Sequence, residues 1–145
     1  MNKDFFEQNY KANEIYISTL SRLNSSKTNS IFGHVLQAHQ IWNERINGIF
    51  PKKIDPWKNI EPGDWEVINE KNFQISLEII NGKDMQTRIN YSNSKGEMFE
   101  NTVEEILFHI LNHSAYHRGQ LALLIRALEK EPPYTDYIGF KRTPK

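Results

Sequence analysis

The chain has no cysteine, no long apolar run and no excess of charge of either sign. Without cysteine it can form no disulfide, offer no thiolate to a metal and use no thiol of its own as a nucleophile. No stretch approaches the ~18–20 apolar residues that a membrane-spanning helix requires. Lys and Arg number 18 against 18 Asp and Glu, so the formal net charge is zero. A nucleic-acid binder usually shows a basic excess or stripe, and neither is present. The start, Met1-Asn2-Lys3-Asp4, lacks the apolar core of a signal peptide. No repeat, low-complexity tract or Gly/Ser-rich linker divides the 145 residues. The expectation is one domain over residues 1–145, cytoplasmic, with neither a membrane nor a nucleic acid as partner.

Helical spacing dominates what is there. Phe6, Tyr10, Ile17, Leu20 and Leu23 mark an amphipathic helix from Asp4 to about Ser25. The polar stretch from Ser25 to Ser30 is a break, and Asn29 or Ser30 is the expected cap of a second helix running to Asn47-Gly48. Residues 49–63, punctuated by Pro51, Pro56 and Pro62, read as an irregular connection. At about fifteen residues it is long for a compact domain, and such loops tend to be functional or packed. Asp64 can cap a third helix from Trp65 to Asn81, with Ile68, Ile75 and Ile79 on one stripe. Alternation from Gln86 to Tyr91, turn chemistry at residues 92–96 and the segment Glu97 to Asn101 predict a short β-hairpin. Asn101 or Thr102 then opens the last helix, which runs to about Glu129, and the tail from Tyr134 packs back through Tyr137, Ile138 and Phe140. The fold class is therefore all-α, a four-helix bundle with a short hairpin before its last helix.

The five histidines are distributed unevenly over this pattern. His109, His113 and His117 stand at i, i+4 and i+8 on the last helix. On a wheel of 3.6 residues per turn, His113 and His117 lie within the stripe of Ile106, Ile110, Leu121 and Leu124, and His109 lies at its edge. On the second helix His34 shares a face with Ile31, Ala38, Ile41 and Arg45, while His39 points roughly 140° away. Each of two helices thus buries histidine on the face meant for its partners. Imidazoles four residues apart can converge on one ion, and a third from a facing helix completes a three-nitrogen face. Nitrogen-only ligands suit Zn, Ni, Fe or Cu better than Mg or Ca. The plainer reading, core histidines satisfied by hydrogen bonds alone, stays open on spacing alone.

Longer motifs carry a resemblance. Asn112-His113-Ser114-Ala115-Tyr116-His117-Arg118-Gly119-Gln120 resembles the N-H-x-x-[Y/H]-H-R-G-Q signature of the DinB-like family of DNA-damage-inducible proteins. His34, Ala38, Trp42 and Arg45 are similar to its second-helix pattern, and Pro132-Pro133-Tyr134-Thr135-Asp136-Tyr137 to its tail. The resemblance implies an up-down-down-up bundle, often a homodimer, with one divalent metal, zinc or nickel foremost, on His34, His113 and His117. His39 stands where the family often has an acid and is left out of the ligand set; His109 matches a frequent family histidine.

The relatives include S-transferases that use a low-molecular-weight thiol. That implies a metal-dependent enzyme whose partner is a small-molecule thiol, with no catalytic residue named. A hydrolase using metal-bound hydroxide and a non-catalytic metal-binding stress-response protein are the competing readings. Gln120 can hold the second nitrogen of a ligand histidine or make an ordinary interhelical bond. Gly119, costly inside a helix, predicts a close backbone approach. Arg45 and Arg118 are expected to pair with acids such as Asp136. Trp42 and Tyr116 are expected in the core rather than at a pocket mouth.

Overall fold

Local chemistry sets the helix ends. In the computed structural model, which describes residues 1–145, Asn2 caps the first helix, α1 (Lys3–Leu23), by accepting the Asp4 N–H at 2.9 Å. Asn24 ends it in the left-handed region at φ 48°, a conformation asparagine tolerates better than most residues. Ser25 returns to extended backbone, and α2 (Ser26–Ile46) begins at once. The cap is therefore neither Asn29 nor Ser30. The polar stretch joins the helix because Thr28 is buried and turns its hydroxyl back onto the Ser25 carbonyl. Residues 49–61 contain no regular element, and a 3₁₀ turn at Pro62–Asp64 leads into α3 (Trp65–Gly82). Asp64 occupies the cap position there without a side-chain bond.

The hairpin forms as expected, with β1 (Arg88–Ser92) antiparallel to β2 (Met98–Thr102) and Arg88 opposite Thr102. Asn93 closes its turn by accepting the Lys95 and Glu97 N–H groups, and Gly96 takes φ 80°. Thr102 ends β2 and caps α4 (Val103–Ala127) in a reciprocal box with Glu105. A short α5 (Tyr137–Lys141) returns the tail to α1 through a Phe5–Tyr137 edge contact and a Lys141–Asp4 ion pair.

Pairwise contacts give the topology. Tyr10 stacks on Phe73 and Asn13 bonds Asn69, so α1 and α3 are antiparallel. Asn72 bonds the Leu36 carbonyl and His39 bonds Ser76, so α2 and α3 run the same way. His34 meets His113 and Trp42 meets His109, so α4 opposes α2. Met1 lies near Glu104 and Tyr16 bonds the Arg118 carbonyl, making α1 and α4 parallel. This is an up-down-down-up bundle. No helix is long and apolar enough to cross a membrane.

The apolar core forms two clusters, one around Tyr16, Phe32, Trp65 and Leu121, the other around Phe6, Ile46, Ile79 and Leu107. A buried polar belt includes Asn13, Asn43, Asn69, Asn72, Ser76 and Arg118. Arg118 donates to Asn9 and Asn13 at 2.7 and 2.8 Å, so its partners are amide oxygens rather than the expected acid. Ser76 donates to Asn43 and therefore accepts from His39 Nε2, which leaves His39 Nδ1 a bare acceptor without a partner. Burial holds the His39 pKa down at about 3 against an ordinary 6.5. The folded state therefore resists protonation while the unfolded chain accepts it. The contribution is complete above pH 6.5 and is lost as pH falls towards 3. The slope is up to about 1.4 kcal/mol per pH unit. Urea midpoints of metal-free protein should fall on acidification from pH 7 to 4.5, and less steeply in His39→Gln.

Candidate metal centre

Because α2 and α4 cross antiparallel, one histidine of α2 faces two from successive turns of α4. His34 Nε2 lies 3.0 Å from His113 Nε2, and His117 Nε2 lies 3.1 Å from the same atom. The ligand atoms of all three fall within 4.8 Å of one another. His34 and His117 are buried, each 8% exposed, and His113 is half-buried. Two nitrogens on one tetrahedral zinc, each about 2.0–2.1 Å from it, stand roughly 3.3 Å apart. The two contacts to His113 need only a few tenths of an ångström of opening.

Hydrogen bonding on the far side of the rings fixes which nitrogens face inward. His34 Nδ1 lies 2.6 Å from the Pro56 carbonyl, which can only accept, so the proton sits on Nδ1 and Nε2 carries a lone pair. His117 Nδ1 donates to Gln120 Oε1 at 2.7 Å, with the same result. With the rings in their neutral form, at most one proton, from His113, lies among the three converging nitrogens. Their lone pairs face one another, and a cation is the group that satisfies all of them. Burial and the neighbouring His117 and His34 push His113 down to about 3. Burial also lowers His34, against the opposing effect of its bond to Pro56. Neutral imidazoles are the form that binds metal. The cluster could hold a metal ion, and its donor set fits one.

The surroundings separate the other expected residues. Gln120 does hold a histidine's second nitrogen. His109 stays outside the cluster, its ring 5.6 Å from His113 and 5.1 Å from Trp42, and His39 belongs to the polar belt. Arg45 pairs with no acid: it donates to the Ser92 carbonyl and lies over the rings of Trp42 and Tyr91. Tyr116 is 65% exposed beside His117, not core, because its position on α4 faces outward. Trp42 is half-buried between Arg45 and His109. Gly119 meets no close backbone; a Cβ there would point into open space.

Sequence reasoning missed two residues of the long connection. Pro56 supplies the carbonyl that orients His34, and Trp57 stacks on the His34 ring at 3.7 Å with planes 3° apart. No periodicity marks a loop, and the sole signal was a tryptophan following a proline in a segment too long to be mere connection.

An up-down-down-up bundle with three imidazoles converging from two facing helices defines a class of helical proteins that build metal sites between helices. The model of the DinB family matches residues 24–145, and the chain belongs to the DinB family. A comparison with curated proteins finds no match. The bond from Gln120 to His117 yields a prediction. Gln120→Leu should lower zinc affinity about 10–100-fold while leaving helix content unchanged, measured by competition with a chromophoric chelator.

Proposed function

We propose that the protein is a metal-dependent enzyme of the thiol S-transferase type, with a divalent transition metal, zinc or nickel, on His34, His113 and His117. The observation that carries this reading is the convergence of three Nε2 atoms with no fourth protein donor in the group. A structural zinc site is normally closed by four protein ligands, whereas three leave a place for a reactant. A bound divalent ion would lower the pKa of a coordinated thiol and screen the charge that develops on reaction.

The chain's own residues do the rest. Pro56 and Gln120 fix the tautomers of His34 and His117, so these two rings present Nε2 to a ligand without turning. Trp57 covers one face of His34 and keeps water from that side. The thiol must come from outside, since the chain has no cysteine. No Asp or Glu lines the cavity that reaches His34 and His113, so a hydrolytic reading lacks a general base there. A small thiol with its own nucleophilic sulfur needs none beyond the ion.

Elemental analysis of protein purified without a histidine tag, beside His117→Ala, tests the reading. Near one equivalent of zinc or nickel is expected in the parent and little in the variant. Adding a small thiol to cobalt-loaded protein should then produce a thiolate charge-transfer band. Failure to take up any transition metal, even after reconstitution, would sink the proposal.

A further inference from the structure

A cavity of about 550 Å³ opens beside the triad, and His34 and His113 form part of its wall. It follows α2 towards Arg45, eleven residues and therefore roughly 16 Å along the helix axis from His34. Lys52 and Lys53, from the connection between α2 and α3, and the hairpin turn at Ser92–Ser94 complete it. Three cations thus surround one cavity in a chain whose formal net charge is zero, and none of the fourteen lining residues is Asp or Glu. The two acids of the connection are engaged elsewhere: Asp55 accepts the Trp57 N–H and Glu61 accepts from Asn59.

Arg45 is the unusual member. It is only 9% exposed, yet no ion pair of the structure includes it. Its guanidinium carbon lies between two nearly perpendicular rings, 4.4 Å from the Trp42 ring centre and 4.9 Å from that of Tyr91. One of its five donors reaches a protein acceptor, the Ser92 carbonyl at 3.1 Å. A buried cation without a counter-ion is costly, and a fixed planar fork matches a carboxylate or phosphate in two bonds. The aromatic clamp and the Ser92 bond hold that fork in place before any ligand arrives, which reduces the ordering cost of binding.

We propose that this cavity is an oxyanion-recognition pocket, in which Arg45, with Lys52 and Lys53 at the rim, binds the carboxylate or phosphate of a ligand whose other end reaches His34 and His113. The second half of that statement rests on the metal-centre reading; the anion site itself does not. The pocket selects small molecules that carry a negative group at one end and a metal-binding atom at the other. A neutral thiol of the same length would bind the histidine end alone.

The test uses metal-free protein, desalted from chelator, with the Arg45 Nε–H and the Asn93 and Ser94 amides followed by NMR. The probes are glutarate, inorganic phosphate and uncharged glutaramide. Saturable shifts with glutarate or phosphate and none with glutaramide are expected, and the tighter of the two anions identifies the headgroup. Lys52→Ser/Lys53→Ser should weaken binding at least threefold, and Arg45→Gln tenfold or more. The lysine pair is exposed, so its variant tests the pocket even where loss of Arg45 disturbs folding. No saturation, an equal response to glutaramide, or unchanged affinity in the lysine variant would overturn the proposal. A parallel zinc titration separates the two ideas. Anion binding without zinc uptake defeats the metal reading alone, and zinc uptake without anion binding defeats the pocket alone.

Discussion

Helix register is the constraint on which the centre depends. A slide of one residue along a helix moves a side chain by 1.5 Å and turns it by 100°, enough to part nitrogens that now stand 3.0 and 3.1 Å apart. Apolar packing alone tolerates alternative registers; a buried polar belt does not. Asn13 to Asn69, Asn43 to Asn72, Asn72 to Leu36 and Arg118 to Asn9 and Asn13 each join a different pair of positions on facing helices. Misalignment would strand several buried polar groups, each at a cost of about 1–3 kcal/mol. We read the belt as the device that sets the helices and thereby the triad.

Electrostatics divide the molecule further. Burial holds His113 uncharged at the triad, and His39 sits uncharged in the belt for the same reason. The positive charges lie at the ends of the chemistry rather than in it. Arg118 is absorbed by amide oxygens on α1, while Arg45 has no comparable oxygen-rich partner set and faces the cavity. Two arginines that look equivalent in sequence therefore differ in what they leave unsatisfied.

Much of the scaffold was legible because helical period is a strong signal. The wheel put His34, His113 and His117 inward, and the structure brings these three together. It also placed His39 on another face, and Thr102 was one of two expected caps. Errors fall where local chemistry has several outlets. Ser25 and Asn29 are both competent caps, and the choice depended on Thr28 being buried. Arginine pairing could not be read because amide oxygens and aromatic rings compete with carboxylates for a guanidinium, and only tertiary structure decides. Pro56 and Trp57 escaped notice because a loop residue reaches its target by path, not by period.

The origin of each wall of the site has an evolutionary consequence. All three ring nitrogens come from two long helices, whereas Trp57, Lys52 and Lys53 come from a connection with no regular structure of its own. Substitutions at Lys52 and Lys53, which bond to none of the three histidines, can reshape what enters without disturbing the bundle's fold or the triad's spacing. One scaffold can therefore diversify among substrates by loop drift alone, so two members with the same histidines need not share a ligand.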